Sequence, residues 1–370
     1  MDYKKLGVKT IINAAGTYTK YGGSLVADEV IQAMEKASKN YVDIDDLLKK
    51  SGNYLADLLG VESTLITSGA AAGLVLASAA CMAGGNKKHI EALPRTEEVK
   101  NEIIVMKCHR NPYDQAVRTA GAEFVEVGNA IETHPWQIES AISEKTAAII
   151  YFAQSALFRA SLPLSQVIDI GKRNDIPVIV DAAAELPPAD NLTGFYEMGA
   201  DIVLFSGGKD LRGPQSSGLM VGRKEFIDKC RYHSYPHHAV GRPMKLDKET
   251  IMGLVRAIEL YLEEDQQKRM EKWSEMSEKI ALELDQCPVI KATVGYPDQP
   301  LTQPASIPRV FVEFEKNSGL CRKVVADKLM EGEPGIAVVV DNRYLIINPH
   351  MLKEREVPVV IDRIKEIIEV

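Results

Sequence analysis

A lysine lies in a glycine-rich loop, in the run Ser206-Gly207-Gly208-Lys209-Asp210-Leu211-Arg212-Gly213-Pro214-Gln215. The residues before it (201–205) and after it (217–222) have the apolar pattern of buried strands. An amine that is partly withdrawn from water loses its charge more easily and becomes a nucleophile and a base. We therefore hypothesise that Lys209 forms a Schiff base with a carbonyl group of a cofactor. An ordinary loop lysine is the alternative, and this stretch alone does not decide between them.

A second motif combines the end of a predicted strand with a turn of small residues and the start of a helix. It is Leu65-Ile66-Thr67 followed by Ser68-Gly69-Ala70-Ala71-Ala72-Gly73. Free backbone N–H groups and the helix dipole favour a phosphate at such a position. Small residues at a helix start also occur simply for close packing, so both interpretations stay open. A dinucleotide site is disfavoured, since neither G-x-G-x-x-G nor G-x-x-x-x-G-K-[ST] occurs.

Apolar strands and amphipathic helices alternate through the first two thirds of the chain, which predicts a mostly parallel sheet covered on both faces. Strands are expected near 65–67, 103–106, 122–127, 147–152, 177–180, 201–205 and 217–222, with helices near 70–83, 113–120, 135–142 and 164–174. In such sheets ligands bind outside the carboxyl ends of the strands. The polar residues expected at this edge are Cys108, His109, Arg110, Gln154, Ser155, Asp181, Ser206 and Lys209.

Each of these residues alone has a purely structural interpretation. His109 could be a loop histidine with satisfied hydrogen bonds, and Asp181 could cap the next turn. Together with the turn at Ser68 and with Lys209, they suit one cofactor, pyridoxal 5'-phosphate, which has a phosphate, a basic ring nitrogen and an aldehyde.

The length of 370 residues exceeds the usual size of a single core. We predict an N-terminal arm (1–25), a large α/β domain (26–248), a linking helical region (249–285) and a small C-terminal α+β domain (286–370). The small domain is expected to contain strands near 289–294, 309–314, 336–340 and 344–347, and helices near 320–330 and 354–368.

Composition and charge narrow the possible partners. The chain is 45% hydrophobic and 26% charged with a net charge of −8, which argues against a broad nucleic-acid surface and favours small-molecule partners. Neither a signal segment nor an apolar run of membrane-spanning length is evident, so a cytoplasmic protein without membrane contact is expected. Five widely spaced cysteines indicate neither a disulfide framework nor a zinc ribbon.

A basic, histidine-rich loop covers 235–245 and contains His237, His238, Arg242 and Lys245. Pro236 disrupts the helical spacing that a metal site on His233 and His237 would need, so no metal is predicted and an anion is the expected ligand. Near the C-terminus, Arg343 could belong to a plain hairpin turn or present its guanidinium to a carboxylate or phosphate.

Three segments together resemble the selenocysteine-synthase-like branch of fold-type I pyridoxal-phosphate enzymes. They are the run that contains Lys209, the segment Asp181-Ala182-Ala183, and the segment Cys108-His109-Arg110-Asn111-Pro112-Tyr113. The opening residues Ile12-Asn13-Ala14-Ala15-Gly16-Thr17-Tyr18-Thr19 and Gly22-Gly23-Ser24 are most similar to the subgroup of D-glucosaminate-6-phosphate ammonia-lyases. The resemblance covers essentially the whole chain. It implies an aspartate-aminotransferase-like large domain and a small C-terminal α+β domain.

The resemblance also implies roles for individual residues. Lys209 would form the Schiff base, Asp181 would pair with the pyridinium nitrogen, and His109 would stack on the cofactor ring. The phosphate would be held by Ser68, Gly69, Ala70 and Ser206. It further implies a homo-oligomer with an active site at a dimer interface, to which the 235–245 loop of a neighbouring subunit could contribute.

The expected activity is an α,β-elimination of the ammonia-lyase type on a small anionic amino acid, with D-glucosaminate 6-phosphate as a candidate. The cations available for substrate binding are Arg212, His237, His238, Arg242, Lys245 and Arg343. The alternatives are an aminotransferase, a racemase or a β-replacement enzyme on the same scaffold, and a non-catalytic cofactor-binding protein.

Overall fold

The computed structural model describes residues 2–153, 160–298, 304–315 and 318–368, and it divides into two compact units. The large unit spans Val26–Glu264. The small unit combines Met1–Leu25, Asp265–Asp298 and Pro304–Val370, so that the predicted arm groups with the C-terminal residues. No helix of the described residues is long and apolar enough to cross a membrane.

The secondary structure follows the alternation that the sequence predicts. The strands are β1 (Ile11–Asn13), β2 (Ser63–Thr67), β3 (Glu102–Met106), β4 (Glu123–Val127), β5 (Thr146–Phe152), β6 (Val178–Asp181), β7 (Ile202–Ser206), β8 (Gly218–Gly222), β9 (Ile290–Gly295), β10 (Arg309–Phe314), β11 (Gly335–Ala337), β12 (Val339–Val340) and β13 (Leu345–Ile347). The helices are α1 (Asp28–Ser38), α2 (Ile44–Leu59), α3 (Ala70–Ala83), α4 (Lys87–Ala92), α5 (Asp114–Thr119), α6 (Pro135–Ala141), α7 (Leu164–Asn174), α8 (Asn191–Glu197), α9 (Lys224–His233), α10 (Lys248–Glu263), α11 (Gln266–Leu284), α12 (Arg322–Glu331) and α13 (Val357–Ile368).

The large unit is built on a seven-stranded sheet in the order β2-β8-β7-β6-β5-β3-β4. The strands from β7 to β4 pair in parallel, whereas β8 is antiparallel to both of its neighbours. The predicted mostly parallel sheet is therefore confirmed. Because β8 runs in the opposite direction, its first residue lies at the same edge as the last residues of β2 and β7.

Both faces of this sheet are covered, so its central strands are largely apolar rather than alternating, whereas Glu123 and Glu126 of the edge strand β4 are exposed. In β7, Val203 and Phe205 belong to the core on one face, while Ile202 and Leu204 belong to the core on the other. Helix α3 packs on the Leu204 face, and its small residues permit a close approach. A β-carbon on Gly73 would lie 3.0 Å from Leu204 Cδ2.

The small unit contains a four-stranded antiparallel sheet in the order β12-β13-β10-β9. The single strand predicted over 336–340 is divided between two sheets. Its first part, β11, pairs in parallel with β1, and β12 pairs with β13. The predicted arm is thus tied to the small unit by backbone hydrogen bonds, including Ala14 N–H to Ala337 O at 2.9 Å.

The predicted linking helical region over 249–285 is two helices rather than one. Glu264 and Asp265 have extended backbones between α10 and α11. The carboxylate of Asp265 accepts a hydrogen bond from the Lys268 N–H at 3.0 Å, which caps the start of α11. This cap explains the break, and the boundary between the two units falls at the same position.

Replacing Leu204 by alanine should lower the unfolding free energy by about 2–5 kcal/mol, because the side chain is completely buried under α3 and the cavity cannot close fully. Denaturant unfolding followed by circular dichroism measures the change. The control is Ile131→Ala in the same unit, at a side chain that is 80% exposed, and it should change stability by less than about 0.5 kcal/mol. Equal losses in the two variants would contradict the assigned core.

Candidate active site

Backbone hydrogen bonds between residues of the Lys209 loop hold this loop in one conformation. Gly207 N–H donates to Ser217 O, Gly213 N–H to Gly207 O, and Arg212 N–H to Lys209 O, at 2.8, 2.8 and 3.0 Å. A β-carbon on Gly207 would lie 2.1 Å from Ser217 Oγ and 2.7 Å from a methyl carbon of Leu254. Glycine is therefore required where the loop crosses itself, and the lysine is presented from a fixed backbone.

Two carboxyl groups face the Lys209 amine. Asp181 ends β6, the strand next to β7, and Glu185 follows four residues later. Protein surrounds the Lys209 amino group closely enough that burial lowers its pKa, although the charges of Asp181 and Glu185 partly oppose this shift. Burial conversely raises the pKa of Asp181, against the hydrogen bond from the Ala183 N–H at 2.9 Å. The neutral amine that Schiff-base chemistry needs is thereby favoured.

This cluster interacts through space, without direct hydrogen bonds between the lysine and the two acids. Lys209 and Glu185 are each partly exposed as residues, yet Glu185 Oε1 is buried and has no hydrogen-bond partner among the described residues. Buried polar atoms are normally satisfied, so an orphaned oxygen beside a buried amine indicates space for a polar ligand. A cofactor with a basic ring nitrogen and an aldehyde has the groups that an acid and an amine in this cluster would bind.

The turn after β2 lies beside this cluster at the same sheet edge. Thr67 and Ser206 both pair with Gly218, the first residue of β8. A β-carbon on Gly218 would lie 2.6 Å from the Gly69 carbonyl carbon and 2.9 Å from the Ala70 nitrogen. Helix α3 begins there, and no side chain caps its start. Its first N–H groups can therefore donate to a phosphate, as the sequence predicts for Ser68, Gly69, Ala70 and Ser206.

His109 is held at the end of β3 by both ring nitrogens. Nδ1 accepts from the Phe152 N–H at 3.2 Å, and Nε2 lies 2.9 Å from Ser161 Oγ, which donates to Leu162 O. Burial lowers the pKa of His109 to about 4, so the ring is neutral with its proton on Nε2. It packs edge-on against Tyr151 with ring centroids 4.6 Å apart. Stacking of His109 on a cofactor stays a prediction.

The basic loop 235–245 lies close to the turn after β2. Ser68 lines a small cleft with Tyr235, Gly241 and Met244. The loop is fixed at Gly241, whose N–H donates to His233 O at 2.9 Å, and a β-carbon there would lie 2.4 Å from the same oxygen. Part of this loop therefore lies beside the candidate phosphate site.

The individual cations of this loop differ in their contacts. His237 Nε2 lies 3.4 Å from an oxygen of Asp45, and the Arg242 guanidinium lies over the Tyr235 ring at 5.1 Å. His238 and Lys245 are exposed. Among the described residues no group of three or more histidines, cysteines or acids could hold a metal ion.

Two predicted substrate cations already bind carboxylates of this chain. Arg212 has a positive φ of 53° and pairs with Glu264, so its guanidinium orients the end of the lysine loop. Arg343 binds both oxygens of Glu313 in the small unit, with nitrogen–oxygen distances of 3.0 and 3.1 Å. The guanidinium of Arg343 is therefore paired within the small unit, and its role as a clamp for a substrate carboxylate stays a prediction.

The sequence analysis did not identify Glu185 as a residue of the site, and two residues that it did name lie outside the part of the chain that the structure describes. Glu185 was visible in Asp181-Ala182-Ala183-Ala184-Glu185 as a second acid after the same strand, but a carboxylate in a loop is usually solvated. Only the fold shows that it turns back toward Lys209. Gln154 and Ser155, expected after β5, lie outside the described residues.

Comparisons with known proteins agree with this geometry. Residues 11–281 match the family model described as L-seryl-tRNA selenium transferase. D-glucosaminate-6-phosphate ammonia lyase of Salmonella typhimurium is 38% identical over 264 residues, 70% of this chain and 69% of that protein. A 5'-C-glycyluridine monooxygenase-decarboxylase of a Streptomyces species is 33% identical over 344 residues, 91% of this chain and 83% of that protein.

Solved structures extend the similarity to the whole chain. The structure of a D-glucosaminate-6-phosphate ammonia-lyase has a TM-score of 0.85 and 31% identity, covering 99% of this chain and 98% of that one. Thermus thermophilus aspartate aminotransferase, with a TM-score of 0.54 and 16% identity over 99% of this chain and 93% of that one, shares the fold. The predicted fold type, enzyme class and cofactor are confirmed. The chain belongs to the L-seryl-tRNA selenium transferase family, and it is a fold-type I enzyme whose cofactor is pyridoxal 5'-phosphate.

Proposed function

We propose that this enzyme is an ammonia-lyase that carries out an α,β-elimination on a small anionic amino acid, with D-glucosaminate 6-phosphate as its substrate. The observation that carries the proposal is the match of the complete fold to an ammonia-lyase. The cluster of Lys209, Asp181 and Glu185 supports it, since it joins a base with two acids in one shielded space.

Pyridoxal phosphate, when bound, supplies an electron sink for the negative charge that develops at the substrate α-carbon. In this proposal the carboxylate of Asp181 stabilises a proton on the cofactor's ring nitrogen. Lys209 would hold the cofactor covalently before substrate binds, and its neutral amine would then be available to remove the α-proton. His109 is neutral and fixed at both nitrogens, so it acts as a rigid wall rather than as a base.

Two groups of donors are proposed for the two phosphates. The N–H groups at the start of α3, with the Ser68 and Ser206 hydroxyls, hold the phosphate of the cofactor. Cations of the basic loop, His237, His238, Arg242 and Lys245, bind the anionic end of the substrate. Arg212 orients the lysine loop through its pair with Glu264.

A second candidate is suggested by the monooxygenase-decarboxylase, which matches 91% of this chain. Such an activity would consume oxygen and release carbon dioxide from an amino acid, whereas an elimination releases ammonia without oxygen. The homo-oligomeric state with an interfacial site, and the cytoplasmic location, stay predictions.

Substrate identity is tested by incubating the purified enzyme with D-glucosaminate 6-phosphate and measuring ammonia and a 2-keto product. We expect both products in equal amounts, with no consumption of oxygen. The Arg242→Gln variant should raise KM about tenfold or more for this substrate, because one cation at the anionic end is lost, while kcat changes less. Carbon dioxide release in place of ammonia would overturn the proposal in favour of the second candidate.

The role of Lys209 is tested by reducing the enzyme with borohydride and locating the cofactor by mass spectrometry of its peptides. In the wild type we expect the label on Lys209. The Lys209→Ala variant should carry no label and lose turnover by a factor of about 10³ or more, since both the covalent link and the base are removed. Lys224→Ala, at an exposed lysine paired with Asp228, is the control and should be labelled normally.

The phosphate site is tested by Gly218→Ala, whose methyl group would push against the backbone of Gly69 and Ala70. We expect the Kd for pyridoxal phosphate to rise about tenfold, equivalent to about 1.4 kcal/mol, with a smaller change for pyridoxal, which lacks the phosphate. The matched control is Gly222→Ala at the other end of β8, where the methyl group would meet the Asp201 carbonyl oxygen. If both variants weakened pyridoxal phosphate and pyridoxal equally, the phosphate assignment would be wrong.

A further inference from the structure

Glu185 is a partly buried acid of this cluster, and none of the proton transfers proposed above involves it directly. Its backbone is fixed, since its N–H donates to Ala182 O at 3.1 Å and its carbonyl oxygen accepts from Asn191 Nδ2 at 2.6 Å. Its Oε1 is buried without a hydrogen-bond partner among the described residues. Among the described residues no hydrogen bond accounts for the position of Oε1, whereas a structural acid would be expected to accept hydrogen bonds.

The groups that face Glu185 come from three neighbouring strands of the sheet. They are Asp181 at the end of β6, Lys209 after β7 and Tyr151 in β5. Burial and the Asp181 charge raise the pKa of Glu185 to about 8, although Lys209 opposes the shift. Burial thereby favours the neutral form of this carboxyl group, and a neutral carboxylic acid donates a proton where a carboxylate only accepts.

An elimination from a hydroxylated amino acid needs such a donor. The bond from the β-carbon to oxygen must break, and hydroxide leaves poorly unless a proton reaches the oxygen as the bond stretches. When the two bonds break together, Lys209 as a neutral amine cannot supply that proton while it removes the one on the α-carbon. A second proton-carrying group within the same shielded space would supply it.

The geometry points to Glu185 as the general acid of this elimination, an inference that rests on the proposed function. Lys209 takes the α-proton, and the electron pair of that bond forms the double bond between the α- and β-carbons. The carbon–oxygen bond breaks with its pair on oxygen, and the proton of Glu185 joins this oxygen, which departs as water. The Lys209 ammonium then returns a proton to the Glu185 carboxylate, which restores both groups.

The first test determines the protonation state of Glu185 in the intact holoenzyme without relying on turnover. Infrared difference spectra between Glu185→Gln and wild type at pH 7 should show the loss of one C=O stretch of a protonated carboxylic acid. Glu197→Gln, at an exposed acid in the same unit, should leave that band in place. An unchanged band in Glu185→Gln would show that the group is ionised and would overturn the inference.

The second test compares leaving groups. For the hydroxyl-bearing substrate, Glu185→Gln should lower kcat by a factor of about 10² to 10⁴, the usual contribution of a general acid. For an analogue with chloride at the β-carbon, which leaves without a proton, the variant should retain the wild-type rate within about threefold. The visible absorbance of the bound cofactor confirms that the variant is folded and loaded.

The outcomes separate the two proposals. If the variant lost activity equally on both compounds, Glu185 would be a structural residue and the inference would fail, while the elimination itself would stand. If the wild type eliminated neither compound, the proposed function would fail, and the acid role would fall with it.

Discussion

The site depends on a lysine amine that is placed near two acids but prevented from pairing with either. In water such groups would form an ion pair of little energetic value, and the lysine would stay protonated. Burial without direct hydrogen bonds between them shifts the pKa values of Lys209, Asp181 and Glu185 toward the neutral form of each group. The site therefore lacks the stability that a direct salt bridge would contribute, and the lysine amine is more reactive as a result.

The scaffold keeps these groups apart by fixing their backbones. The Lys209 loop is held where Gly207 and Gly213 meet by backbone hydrogen bonds, and Asp181 is the last residue of a buried strand. Adjacent strands end at the same edge because the sheet is parallel there, so residues distant in sequence converge without long loops. Small residues also position the site, since Gly73 and Gly218 allow helix α3 to approach the sheet closely.

Much of this arrangement could be predicted from the sequence, because the central strands are largely apolar and polar residues lie at or just after their carboxyl ends. The positions of Lys209, Asp181 and the turn at Ser68 follow from that pattern. The break before Asp265 was missed because both flanking segments favour helix, although an aspartate cap decides it. Glu185 was missed because sequence does not show whether a loop acid faces water. The pair of Arg343 with Glu313 could not be predicted, because Glu313 lies on a strand 30 residues away in sequence.

The antiparallel direction of β8 limits the insertions that the loop carrying Lys209 can tolerate. Since β7 and β8 are neighbours, both ends of the Lys209 loop are set by one ladder, in which Ser206 opposes Gly218 and Ile202 opposes Gly222. A slip of β8 by a single residue would exchange its two faces and replace Gly218 by a side chain against α3. Insertions between 207 and 217 would therefore have to preserve strand register as well as loop closure. The lysine loop should accordingly vary less in length than surface loops elsewhere in the protein.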